Sequence, residues 1–109
     1  MSATHSWFVM RLVLPFIEDG SKDLEIRLGH RIFREVKVGD TIIFNNRHGR
    51  KVTGIREYPT LEDALKTEDY RRIYPNPDTE QDALLAALRE VLKGDVSRLG
   101  VLVFELQPI

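Results

Sequence analysis

Lys22, Glu25 and Arg27 bring an ammonium, a carboxylate and a guanidinium together in one short stretch of chain. Glu25 and Arg27 stand two apart in the alternating run Leu24-Glu25-Ile26-Arg27-Leu28. On a strand they share one face, opposite Leu24, Ile26 and Leu28, and that face is expected to point outward. Lys22 sits where the chain enters this strand from Gly20-Ser21. Arg27 offers a planar donor fork suited to phosphate. Glu25 can accept from an exocyclic amine such as that of cytosine. Lys22 beside Glu25 favours the charged form of both, which suits binding, although a carboxylate can also act as general base on water. The plain alternative is a charge pair on a solvated strand.

A second group lies in Asn45-Asn46-Arg47-His48-Gly49-Arg50-Lys51, where basic residues, a histidine and two amides suit phosphate and base-edge contacts. Asn45, Arg47 and His48 are its candidates, with His48 able to act as acid or base. An ordinary hairpin loop has the same composition. Trp7, Tyr58, Tyr70 and Tyr74 are potential stacking surfaces for a splayed base. Trp7 reads as core, whereas Tyr74, ahead of Pro75-Asn76-Pro77, is the strongest stacking candidate. His5, His30 and His48 share no ligand spacing and there is no cysteine, so no metal is expected. The chain has no glycine-rich phosphate loop and no serine in a nucleophile elbow, and no cofactor is expected.

The elements that position these residues follow from hydrophobic period and punctuation. Trp7-Phe8-Val9-Met10 reads as a first strand, and Leu12 to Ile17 as a short helix with Pro15 in its first turn and Gly20 as its stop. Thr41-Ile42-Ile43-Phe44 is a β-branched strand. Its return runs from Lys51 to Tyr58, with Gly54 marking a bulge or a close approach. Thr60-Leu61-Glu62-Asp63 resembles a capping box, and helical spacing continues through Tyr70 and Ile73. Asp78 or Thr79 is expected to cap the longest helix, whose apolar stripe from Ala83 to Leu92 packs on the sheet until Gly94 stops it. Gly100 to Leu106 is a last, buried strand, expected to pair with the first and close a barrel. The fold class is α+β: a small mixed β-barrel of about five strands with helices inserted before the last strand.

The chain has 109 residues, enough for one domain spanning 1–109. With 42% hydrophobic and 30% charged residues it has the composition of a folded domain, not of a disordered chain. No apolar run approaches the roughly 20 residues a membrane span needs, and no signal-peptide pattern opens the sequence. A cytoplasmic, monomeric protein is the expectation. The net charge of −1 hides an asymmetry. Residues 20–58 carry nine Lys/Arg against five Asp/Glu, and residues 59–109 carry six against ten. A basic face for an anionic ligand, or two sections neutralising each other, explains that equally well.

Three segments resemble the ASCH domain family. They are Gly20-Ser21-Lys22-Asp23-Leu24-Glu25-Ile26-Arg27 against G-x-K-x-x-E-x-R, Val36-Lys37-Val38-Gly39-Asp40-Thr41-Ile42-Ile43-Phe44 against (I/V)KxGDxIxF, and the closing strand Gly100-Val101-Leu102-Val103-Phe104. The likeness runs in order from about Trp7 to Leu106. It implies a PUA-like barrel with a cleft beside it and, as partner, RNA or a modified nucleoside. Some members resemble amidohydrolases acting on N4-acylated cytidine, with a Lys, a Thr nucleophile and a late Glu. Lys22 matches the Lys, the Thr position holds Glu25, and residues 75–79 offer Asn76 and Asp78 but no Glu before Glu80. Other members cleave RNA with basic and hydroxyl residues. The expectation is therefore an RNA- or nucleoside-binding domain. The alternatives are a small hydrolase working through Lys22 and Glu25, or a regulatory protein-interaction module.

Overall fold

The computed structural model of the chain describes residues 2–109. Its strands are β1 (Thr4–Trp7), β2 (Leu24–Leu28), β3 (Thr41–Phe44), β4 (His48–Tyr58) and β5 (Val101–Pro108). They form one sheet in the order β1-β3-β4-β5-β2, with β1 parallel to β3 and the remaining neighbours antiparallel. The sheet curls into a half-barrel, and the class is α+β. The expected pairing of first and last strands does not occur. Strand β5 already has neighbours on both sides, β4 and β2, so β1 and β2 are left as the two edges.

The helices are α1 (Leu14–Glu18), α2 (Arg31–Arg34), α3 (Leu61–Thr67), α4 (Tyr70–Ile73), α5 (Gln81–Val91) and α6 (Val96–Leu99), with a 3-10 turn at Arg11–Val13. Pro15 falls in the first turn of α1, where its missing N–H has no intrahelical partner to lose. Gly20 follows with φ of 82°, a value that suits glycine. Thr60 caps α3 by accepting a hydrogen bond from the Asp63 N–H. The longest helix starts later than the sequence implies, with Glu80 at its N-cap. Asp78 N–H donates to the Asn76 side chain and Thr79 N–H to the Asn76 carbonyl, so a turn occupies the expected cap.

The sheet buries both faces. Leu24, Ile26, Leu28, Val101 and Val103 pack beneath α3, α4, α5 and α6. On the other face Trp7, Ile42, Phe44, Val52, Leu102, Phe104 and Leu106 form a second core. There Trp7 meets Phe33, Phe44 and Phe104 edge-to-face. Residues directly opposite in a ladder share a face, and Glu25 lies opposite Phe104 while Arg27 lies opposite Leu102. Glu25 and Arg27 are thus on the Trp7 side of the sheet, and Glu25 is buried, not directed outward to solvent as its alternation suggests.

The turn before β3 is held by Asp40. Its carboxylate accepts from Ala3 N–H at 2.9 Å and from Lys37 N–H at 3.0 Å, and meets His5 Nε2 at 2.8 Å. The Ala3 N–H, then His5 and the Lys37 N–H, lower its pKa to about 2. One side chain therefore fixes the start of β1 beside β3. Among the described residues, no helix is long and apolar enough to cross a membrane.

Candidate functional site

Lys22 is seated by backbone on both sides. Its own N–H donates to the Phe16 carbonyl at 2.9 Å. Its Nζ donates to the carbonyls of Leu24 at 2.6 Å and Ile73 at 2.7 Å, and lies 3.0 Å from Glu25 Oε1. Three acceptors thus surround the three protons of one ammonium. Lys22 and Glu25 are only 4% and 5% exposed, so their charges are matched inside the protein and not by water.

Glu25 bridges two cations. Oε1 faces Lys22, and Oε2 accepts from Arg27 Nη2 at 2.7 Å and Nε at 3.2 Å. Burial pushes the Glu25 pKa up, but the Lys22 and Arg27 charges outweigh it and hold the carboxyl below its usual range. A carboxylate held this way is a weak base. Its geometry suits it to carry charge, with Lys22 as a buried support.

Arg27 crosses the gap between the sheet's two edges. Nη2 also donates to the Phe8 carbonyl, just past β1, at 3.0 Å. The guanidinium carbon lies 5.1 Å from the Trp7 ring centroid and 5.3 Å from that of Phe33, within cation–π range of both. β1 and β2 share no ladder. The Arg27 side chain is the clasp between them.

Beside this triad lies a cleft of about 470 Å3. One wall is the segment after β1, with Phe8, Met10 and Leu12, each more than half exposed. The opposite wall is Tyr74 and the Ala83, Ala87 and Val91 side of α5. Lys22, Glu25 and Arg27 contribute its charged lining. Tyr74 packs edge-to-face on Phe16, with centroids 5.5 Å apart. The Lys22 contacts to Phe16 and Ile73 set the backbone on both sides of that aromatic pair.

The structure brings Lys22, Glu25, Arg27 and Tyr74 to one cleft, and leaves Asn45, Arg47 and His48 out of it. Asn45 and Asn46 take φ of 53° and 62° in the β3–β4 hairpin, a conformation Asn tolerates. Asn45 is used structurally: its side chain accepts from Val9 N–H at 2.8 Å and donates to the Val9 carbonyl at 3.1 Å. Arg47 is exposed at the hairpin tip. His48 Nε2 lies 3.5 Å from Glu18 Oε1, too far and too poorly aligned for a hydrogen bond. Trp7 is core. No cluster of three or more His, Asp or Glu suitable for a metal occurs among the described residues.

The apolar walls are what sequence reasoning misses. Phe8 and Met10 read as strand residues, yet β1 ends at Trp7 and they follow it as a lip. Ala83 and Ala87 read as part of the α5 stripe, but Leu84 and Leu88 fill the core while the small residues and Val91 turn to the cleft.

No known family profile matches the chain, and no curated protein matches it. Solved structures do. The crystal structure of hypothetical protein PH0355 superposes with a TM-score of 0.88 at 26% identity, over 97% of this chain and 99% of that one. The solution NMR structure of protein PF0455 from Pyrococcus furiosus gives a TM-score of 0.75 at 22% identity, over 97% of each chain. These likenesses, over 97% of the chain, show a fold seen before in proteins of similar size.

Proposed function

We propose that the cleft binds a nucleotide of single-stranded RNA or a modified nucleoside, in the manner of an ASCH-type domain. The observation that carries this reading is the pairing of apolar walls with a triad of net charge +1 in one cleft of nucleoside scale. The flat Tyr74 ring offers a stacking surface, and Arg27 a directed cationic donor. The low basicity of Glu25 and the fully engaged Lys22 ammonium favour binding over hydrolysis.

Titration of the protein with short single-stranded RNA and with cytidine and N4-acetylcytidine, followed by calorimetry, tests it. Binding is expected at low salt and weaker as salt rises. Arg27→Ala is expected to weaken it roughly tenfold or more, the value of a charge-assisted hydrogen bond. Tyr74→Ala, which leaves the clasp intact, is expected to weaken it as well. No binding at low salt, or binding indifferent to both variants, overturns the reading. Chromatography of the N4-acetylcytidine mixture for released cytidine separates binding from hydrolysis.

A further inference from the structure

We propose that the cleft recognises an oxygen acceptor of its ligand, a carbonyl or carboxylate, through Nη1 of Arg27, with Glu25 and Lys22 acting as fixed supports. This rests on the reading of the cleft as a ligand site and names the chemistry that site selects. Every other polar group of the triad is already committed. The Lys22 ammonium faces two backbone carbonyls and Glu25 Oε1. Glu25 Oε1 also lies 3.3 Å from the Ile26 N–H, and Oε2 accepts twice from Arg27. Arg27 uses Nε and Nη2, but its Nη1 has no hydrogen-bond partner among the described residues and is not closed off from solvent. That leaves the N–H groups of Nη1 free on a residue that lines the cleft.

Three features make this a selective group. The guanidinium is held by Glu25, by the Phe8 carbonyl and by the Trp7 and Phe33 rings, so a ligand need not order it. The triad carries one unmatched positive charge, so an oxygen acceptor is favoured and a cationic donor is opposed. The walls are apolar, which strengthens a hydrogen bond formed between them. The expectation from sequence that Glu25 accepts from an exocyclic amine is thereby replaced. Its two oxygens are occupied by the protein's own cations, and the base is read by its carbonyl.

The test is a titration of 15N-labelled protein followed by NMR, reading the Arg27 Nε–H resonance, which is assigned by its loss in Arg27→Lys. Benzoate and benzamide share a flat apolar body and an oxygen acceptor, while benzylamine presents a cation on the same ring. Benzoate and benzamide are expected to shift the Arg27 resonance and those of Ala83 and Ala87, benzoate more tightly and with greater salt dependence; benzylamine is expected to shift none. In a second arm, cytidine is compared with the pyrimidin-2-one riboside, which keeps the ring carbonyl and lacks the amine, and equal affinity is expected. Tight benzylamine binding, silence of Arg27 with both acceptors, or binding lost with the amine overturns the proposal. Benzoate binding without nucleoside binding refutes the nucleotide reading and leaves the acceptor preference standing.

Discussion

Two clusters of charge sit on this sheet, and they solve different problems. At the cleft, buried Lys22 and Glu25 and half-buried Arg27 form a set with one positive charge left over. Around the start of β2 and the middle of β4 and β5, Arg56 donates from Nε and Nη2 to Glu68 at 2.5 and 2.8 Å and from Nη1 to Glu105 at 2.8 Å. Tyr58 donates to Glu68 at 2.5 Å, and Arg72 clamps Asp23 at 2.7 and 2.9 Å. This second cluster has more acid than base, and all three Arg56 nitrogens are engaged. It joins α3, α4, β4, β5 and the residue before β2, and none of its side chains lines the cleft. Charges that saturate one another fasten elements together, whereas a cluster with a free donor beside an apolar wall has something to offer a ligand.

The comparison breaks most visibly at Lys22. Lys22→Ala leaves Glu25 buried with one cation fewer and two carbonyls without their donor. Chemical denaturation is expected to show a loss of about 3–5 kcal/mol, as for other broken buried pairs. A loss below about 1 kcal/mol would mean that the triad does not hold the fold. Glu68→Ala is expected to cost less, about 1–2 kcal/mol, because Arg56, with its side chain 38% exposed, is rehydrated when its partner goes.

The smallest expected difference lies in salt and acid. Hydrogen bonds from Arg56 first of all hold the Glu68 pKa below its usual value of 4.5. A carboxylate depressed in the folded state lends support that is complete above the unfolded pKa and is lost as pH falls through the folded one. The stability gap between wild type and Glu68→Ala should therefore narrow as pH drops below 4.5, by a few tenths of a kcal/mol or more. In 1 M salt the Glu68→Ala gap should shrink while the Lys22→Ala gap holds, since a buried pair is screened less. Equal salt sensitivity in denaturation curves would erase the distinction between the two clusters.

Much of the fold is legible because its local rules agree with its packing. Thr60 caps α3, Gly54 sits at the register shift between β4 and β5, and Leu24, Ile26 and Leu28 face the core. The failures have physical causes. Four-residue helices such as α2 and α6 are too short to show a periodic stripe. A polar alternate face normally means solvent, and β2 violates this because its charges neutralise one another beneath Trp7 and Phe33. Which edges of the sheet remain unpaired depends on contacts distant in sequence, so the cleft at the end of β1 cannot be read locally. The identities of Lys22, Glu25 and Arg27 are plain in the chain; that two of them are already occupied is visible only in three dimensions.

Strand β2 has a single neighbour in the sheet, and that neighbour is the last strand of the chain. During synthesis, Lys22, Glu25 and Arg27 leave the ribosome early and wait for Val101 to Glu105 before β2 has a strand to lie on. The N-terminal half of the chain therefore carries the charged triad, while the last strand decides when β2 joins the sheet. A polypeptide ending before Val101 would hold every charged group of the triad and lack the strand on which Glu25 and Arg27 are laid.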